Sequence, residues 1–346
     1  MTLQIATGNH IGQVAPYALS YYDSLYVAEG AVIANTEDIG LNSAVTANGS
    51  DESIVINGEV IANGRTLMIT QQHDFDGNDS IEIGATGEVY SQKDACIHVE
   101  SNAATIQNNG SLAGDAGIFI ESQAAGGLSE VVNRGTIDVA NNPFEISGPE
   151  AFFLNNKGRI TGGNSISFYG FMETGGVTIR NSGTMEGAII FGGAADTYDG
   201  RGGTIDSQVH GFGGDDTLIG GSGTEQLVGG VGHDVLTGGG GADDFIYNIV
   251  LDSTTAAAGQ DVITDFSHKQ HDQIDLHGMD AVTGNGSNDA FHFIGDHAFD
   301  GSAGELRYIF KSGHTFVLAD TDGDKQADFS IELANHVALV KGDFIL

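Results

Sequence analysis

Covalent stapling is closed to this chain. Cys96 is its only cysteine, so no disulfide forms within it and no cysteine-built zinc site is possible. Basic residues are scarce as well: 12 Lys and Arg stand against 47 Asp and Glu in 346 residues, a formal charge of −35. That imbalance argues against nucleic acid and anionic membranes as direct partners. It also makes the chain self-repelling until cations compact it. There are three prolines and no tryptophan. No apolar run is long enough to span a bilayer, so membrane insertion is not expected. The first residues, Met1 to Pro16, lack a basic n-region and an apolar h-region, and no cleavable signal peptide is read there. His-Glu-x-x-His, Gly-x-Ser-x-Gly and P-loop patterns are also missing, which argues against a metalloprotease, an α/β-hydrolase and a phosphate cradle.

Glycine is abundant, 53 residues, and it is ordered. Four nonapeptides stand in tandem: Gly211–Ile219, Gly220–Val228, Gly229–Thr237 and Gly238–Ile246. Each has early glycines, an acid at position six and an apolar residue at position eight. The glycines let the backbone take positive φ and turn its carbonyls inward. The acids Asp216, Glu225, Asp234 and Asp243 add carboxylates to those carbonyls. An all-oxygen donor set suits Ca2+, and the period describes a parallel β-helix with the ion in its turns. Two nonapeptides make one coil, so Asp216 is expected beside Asp234 and Glu225 beside Asp243. Without a cation these carboxylates repel; with one they share it. Leu218, Leu227, Leu236 and Phe245 are expected to point into the coil. A flexible glycine linker would need neither the ordered acid nor the apolar position.

These repeats resemble the repeats-in-toxin (RTX) family of secreted proteins. The resemblance implies an ion between loops of successive coils, held by carbonyls and acids from both. Carried over, Gly211, Gly213 and Asp216 face Gly230, Gly232 and Asp234. Gly220, Ser222 and Glu225 face Gly239, Gly241 and Asp243, with Gly214 and Gly229 also among the implied metal residues. Glu225 departs from the family Asp, and Phe212 replaces a position-two glycine. The final Asp343-Phe-Ile-Leu346 resembles the uncleaved signal such proteins present to a type I secretion machinery, which implies an extracellular location.

A second repeat runs through residues 25–206. Its core is an apolar strand, a polar turn often with Asn, a glycine, and a further apolar residue, as in Val132-Asn-Arg-Gly-Thr-Ile137 and Leu154-Asn-Asn-Lys-Gly-Arg-Ile160. The marker glycines are Gly30, Gly58, Gly87, Gly110, Gly135, Gly158, Gly183 and Gly203. About nine residues after most of them comes another apolar strand, so one unit supplies about three short strands. This is one coil of a right-handed parallel β-helix. An antiparallel sandwich would need hairpin turns at closer spacing. The two solenoids read as continuous, since Phe191-Gly-Gly-Ala-Ala-Asp-Thr-Tyr198 is a degenerate nonapeptide with Asp196 at position six. Further back, Asp76-Gly-Asn-Asp-Ser-Ile81 reads as a single calcium-like turn with Asp79 as its acid. The competing reading there is a turn with solvated acids.

After residue 246 the glycines thin out. Gly259-Gln-Asp-Val-Ile-Thr-Asp-Phe266 followed by Asp272-Gln-Ile-Asp-Leu276 resembles the segment after the repeats in serralysin-type metalloproteases. That resemblance implies that Asp261 and Asp265 help close the last calcium sites. Asp320, Asp322, Asp324 and Asp328 have the one-three-five-nine spacing of an EF-type loop but lack its Glu at position twelve; the alternative is an acidic hairpin between Phe316-Val-Leu318 and Phe329-Ser-Ile331.

The expected architecture is all-β: a parallel β-helix over 1–190, a calcium-binding β-roll over 191–246, and a β-sandwich-like cap over 247–346. The expected function is a secreted calcium-binding protein, non-catalytic, an adhesin or surface-associated factor with a surface glycan or polysaccharide as candidate partner. The alternative is a polysaccharide lyase or epimerase acting on an acidic glycan, since such enzymes resemble this β-helix and some carry RTX tails. His73, Asp74, Asp76, Lys93, Asp94 and His98 are its candidate groups, against few basic residues in the N-terminal region.

Overall fold

The computed structural model describes the chain apart from residues 1, 13–16, 21, 37–42, 50, 71–77, 102, 123–125, 149–150, 164–165, 168–174 and 285, and apart from the side chains of residues 166 and 167. It divides into two compact units, residues 1–190 and 191–346.

Among the described residues of the N-terminal unit, successive coils stack their strands, three to a coil in most, and always in parallel. One column contains Ser24–Val27, Ser53–Ile56, Asn78–Ile83, Ala103–Asn108, Leu128–Asn133, Ala151–Asn156 and Val177–Asn181. Its inward residues Leu25, Ile54, Ile81, Ile106, Val131, Leu154 and Ile179 are in register and fully buried. A second column stacks Ile33, Val60, Val89, Leu112, Ile137, Ile160 and Met185, and a third brings Leu67, Ile97, Ile118 and Phe144 together. Each such side chain contributes about 1.5–3 kcal/mol of burial. In two coils the second and third strands fuse, as Glu88–Glu100 and Ser111–Glu121, with the register shifting between Ser91 and Ala95.

The Asn-x-Gly turns have two physical causes. Asn108 donates to Asn133 (2.8 Å), Asn133 to Asn156 (2.9 Å) and Asn156 to Asn181 (2.9 Å), a buried amide ladder along the axis. Buried amides persist only when paired, and here each coil supplies the partner of the next. The marker glycines stack in the same way: a β-carbon on Gly158 would run into the Gly135 carbonyl, and one on Gly183 into that of Gly158. Glycine is required there for close backbone approach.

In the C-terminal unit a coil has two strands from Gln208 onward, after a first coil that also contains the short strand Thr204–Ile205. Thr197–Asp199, Thr217–Ile219, Val235–Thr237 and Asp261–Ile263 form one parallel column. Gln208–His210, Gln226–Val228, Asp244–Ile246, Gln273–Asp275 and Phe344–Ile345 form the other. Leu218, Leu227, Leu236 and Phe245 are fully buried, as their position in the repeat implies. The parallel pairing continues beyond Ile246, where Val235 pairs with Val262 and Phe245 with Ile274. An antiparallel meander of Glu305–Lys311, His314–Asp320 and Phe329–Leu333 then attaches through Phe329–Leu333, which runs parallel to Asp261–Ile263. The all-β solenoid expected from the glycine periods is the fold observed, with a small antiparallel region near the C-terminus. Among the described residues no helix is long and apolar enough to cross a membrane.

Candidate metal centre

The nonapeptide turns bring their acids into vertical contact through a repeated backbone rung. The Asp196 amide donates to Asp216 Oδ1 (2.7 Å), Asp216 to Asp234 Oδ1 (2.8 Å) and Asp234 to Asp261 Oδ1 (2.9 Å). On the other side, Glu225 donates to Asp243 Oδ1 (2.9 Å) and Asp243 to Asp272 Oδ1 (3.2 Å). Each acid's own carbonyl accepts from the residue that follows the next acid: Val235 to Asp216 (2.8 Å), Asp244 to Glu225 (2.9 Å), Val262 to Asp234 (2.8 Å) and Gln273 to Asp243 (2.8 Å). Stacked strands thus deliver one carboxylate per coil to the same point.

In Asp216, Asp234, Asp243 and Asp261 this rung uses only half of the carboxylate, while Glu225 enters it through its backbone amide. Asp216 Oδ2, Glu225 Oε2, Asp234 Oδ2, Asp243 Oδ2 and Asp261 Oδ2 are buried and receive no hydrogen bond. These oxygens fold back over the first glycine of their own loop: β-carbons on Gly211 and Gly229 would meet the carboxylates of Asp216 and Asp234, and one on Gly220 would meet Glu225 Oε2. A buried carboxylate oxygen without a donor is costly, and repetition at five acids makes an accidental defect untenable. Burial, the largest cause, pushes Asp216 up to about 8, Glu225 to about 7, Asp234 to about 6 and Asp261 to about 9. Neighbouring acids add to each shift: Asp234 beside Asp216, Asp243 beside Glu225, Asp215 beside Asp234 and Asp234 beside Asp261. Hard oxygens aligned in pairs, with spare lone pairs and raised proton affinity, are what a divalent cation of the Ca2+ type satisfies.

The turn backbone fits the same purpose. Gly230 and Gly239, at position two, have φ of +98° and +93°, and Phe212 takes the same left-handed conformation at +70°. The loop path therefore survives replacement of the glycine, with the Phe212 ring exposed against His210 at 4.2 Å. Gly213 forms a parallel bridge to Val231, whose carbonyl accepts from Gly214 (3.1 Å). Ser222 is exposed, while Gly232 and Gly241 pack on the Gly214 and Gly223 carbonyls one coil earlier.

Asp261 and Asp265 differ in their bonding. Asp261 joins the column of acids. Asp265 spends both oxygens on backbone amides, those of Gly238 (2.9 Å) and Gly239 (2.8 Å). Two participants escape sequence reasoning. Asp272 accepts from the Asp243 amide, 29 residues away, and from Ser267 (2.8 Å). Asp252 is buried close enough to Asp234 and Asp261 to raise both. The sequence signal for Asp272 was its place before the apolar phrase Gln273-Ile-Asp-Leu276, equivalent to the acid before each earlier strand.

Of the EF-spaced acids, Asp320, Asp322 and Asp328 converge, each offering an oxygen within 4.8 Å of the others. Asp324 is not in that group and instead turns to the Gln326 amide (2.7 Å). The segment is a hairpin loop between antiparallel strands, and Asp320 already accepts from Gly323 (2.7 Å) and Lys325 (2.9 Å).

His98, Glu100 and Glu121 form another group with ligand atoms within 4.8 Å. Glu100 and Glu121 are register partners on adjacent coils, and His98 lies two residues before Glu100 on the same face. Burial lowers His98 to about 4, which keeps the ring neutral. Asp94 pairs with Arg65 at 3.4 Å. His73, Asp74 and Asp76 lie outside the described residues.

Residues 201–346 match the family model described as the C-terminal region of the M10 peptidase serralysin. The serralysin-type segment thus takes in all four nonapeptides, the acids Asp261, Asp265 and Asp272, and the antiparallel meander. Among solved structures the chain is similar to the solution structure of the AlgE6R2 subunit from the Azotobacter vinelandii mannuronan C5-epimerase, at 27% identity over 47% of this chain and 92% of that chain, with a TM-score of 0.32. No curated protein matches.

Proposed function

We propose that this is a secreted calcium-binding protein whose serralysin-type region closes its fold on Ca2+ outside the cell. The observation that carries the reading is the recurring unpaired carboxylate oxygen at Asp216, Glu225, Asp234, Asp243 and Asp261. Asp216 and Asp234, with carbonyls of Gly211, Gly213, Gly230 and Gly232, hold one ion. Glu225 and Asp243, with carbonyls of Gly220, Ser222, Gly239 and Gly241, hold another. Asp196 and Asp261 extend the first column, and Asp320, Asp322 and Asp328 offer a separate site in the hairpin loop. The ion's contribution is charge neutralisation and crosslinking of coils, in a chain without disulfides.

Extracellular calcium sites have Kd of about 10⁻⁴–10⁻³ M. At ten times Kd each ion adds about 1.4 kcal/mol by mass action, so several coupled sites decide whether the region folds. Low calcium in the cell then keeps the chain open for a type I exporter, and millimolar calcium outside closes it. Circular dichroism tests this: β-structure should rise cooperatively as Ca2+ is added to chelated protein. Equal β-structure in chelator and in calcium would refute calcium-driven closure.

The role outside the cell is that of a non-catalytic adhesin or surface-associated factor. A second reading, lyase or epimerase action on an acidic glycan, draws on a cavity of about 230 Å³ in the N-terminal unit, lined by Arg65, Asp94, Phe119, Asn142 and Glu145. Arg65 there is a cation suited to a uronate carboxylate. Incubation with uronate polymers, read by absorbance of an unsaturated product and by NMR of the polymer, separates the two.

A further inference from the structure

Among the described residues of the N-terminal unit the same acid rung recurs, at sequence positions outside the serralysin-type region. The Glu52 amide donates to Asp79 Oδ1 at 3.2 Å across 27 residues, one coil. The Glu52 carbonyl accepts from Ser80, the residue after Asp79, at 2.9 Å. Asp51, just before Glu52, accepts from the amide of Asn78, just before Asp79, at 3.4 Å. In the nonapeptides, Asp215 accepts from His233, Asp216 donates to Asp234, and the Asp216 carbonyl accepts from Val235. The three bonds correspond one to one, each at the entry to a parallel strand pair.

A column through the sheet shows what the rung needs. By strand register the positions stacked on Glu52 and Asp79 continue to Ala104 and Ser129. There the Ala104 amide donates to the Ser129 hydroxyl at 3.0 Å. A neutral hydroxyl therefore suffices to satisfy the backbone at this place. Two carboxylates one coil away exceed that requirement. Glu52 and Asp79 are each 1% exposed, and Glu52 Oε1, Glu52 Oε2 and Asp79 Oδ2 receive no hydrogen bond. Three unpaired carboxylate oxygens at one buried point are costly, and a bound cation offsets that cost. Burial and the adjacent Asp79 push Glu52 up to about 8, in line with the shifts in the nonapeptides.

We propose that Glu52 and Asp79 hold a divalent cation, Ca2+, between two coils of the N-terminal unit, a site separate from the serralysin-type repeats. The choice of Ca2+ rests on the calcium reading of those repeats, through the shared rung; the need for a cation rests on the three unpaired oxygens alone. The ion crosslinks the coil containing Ser53–Ile56 to the one containing Asn78–Ile83.

The test uses the full chain and calcium alone. Bound Ca2+ equivalents are counted by equilibrium dialysis for the unaltered protein, for E52Q/D79S, and for D216N/D234N. The serine preserves the rung bond, as Ser129 does. E52Q/D79S should lose one equivalent and keep the rest, and its melting temperature in chelator should rise, because a buried acid pair with unpaired oxygens is gone. An unchanged count in E52Q/D79S beside a reduced count in D216N/D234N overturns this proposal and leaves the repeat reading standing. No bound calcium in the unaltered protein overturns both. Hydrogen exchange on the unaltered protein supplies an arm that needs no variant. At ten times Kd, amides of 52–56 and 78–83 should exchange about tenfold more slowly than in chelator; identical exchange overturns the site.

Discussion

Asp216 and Asp234 illustrate how far a single residue's chemistry can be read. The nine-residue period placed them on one side of successive coils, and the 18-residue rung between them confirms that contact. The sequence could not reveal that one oxygen of each would be consumed by a backbone amide and the other left bare, because that depends on strand register to within one residue. Replacing Asp234 with Asn should weaken calcium binding by about tenfold or more, read by calorimetric titration, since one of two shared charges is lost. The raised carboxyls also set a pH dependence. Asp216, Asp234 and Asp261 bind protons more tightly folded than unfolded, so their stabilisation of the calcium-free form is complete below the ordinary carboxylate range and lost as pH rises through about 6 to 9. The metal-free protein should therefore melt higher at pH 5 than at pH 8.5. With saturating Ca2+ that order should reverse, because the ion competes with the protons for the same oxygens. Thermal melts at the two pH values, with and without chelator, check both signs.

At the scale of the element, the coil turns carry more energy than their polar composition suggests. Asn133 accepts from Asn108 and donates to Asn156 and to the Arg159 carbonyl. Truncating it to Ala strands buried partners on both sides and should cost about 2–4 kcal/mol. The same change at its exposed neighbour Arg134 should fall within about 0.5 kcal/mol. Denaturant melts in calcium provide the comparison. Gly158→Ala should cost about 1–3 kcal/mol, since the added carbon meets the Gly135 carbonyl and a coil must shift. The glycine and asparagine positions were legible as a repeat. Their reason was not, because spacings of 23 and 25 residues hide a ladder that exists only once the coils stack. Asp272 shows the opposite failure. Its rung to Asp243 spans 29 residues instead of 18, because the coil lengthens after Ile246, so counting by nines misses it.

For the whole molecule the dominant fact is a formal charge of −35 with 12 basic residues to offset it. Cations are the available remedy, and each bound Ca2+ removes two units of repulsion where carboxylates are packed most closely. Chelation should therefore raise the radius of gyration and expose the nonapeptides to protease, whereas the N-terminal unit, built on buried apolar columns over most of its described length, should retain its protection. Small-angle scattering with limited proteolysis in chelator and in calcium reads both effects; equal cleavage of the two units would contradict the difference in what holds them.

Composition and periodicity by themselves determined the all-β solenoid, the inward residues of most coils, the column of acids and the hard-oxygen chemistry. These follow from short-range rules, since a fixed repeat places the same side chain on the same face of every coil. Only the tertiary structure decided which carboxylate oxygens are satisfied by amides, that Asp320, Asp322 and Asp328 gather without Asp324, and that His98 meets Glu100 and Glu121. It also showed that Glu52 and Asp79 repeat the acid rung where no nonapeptide stands. Those outcomes depend on register and burial between segments distant in sequence, which local pattern does not encode.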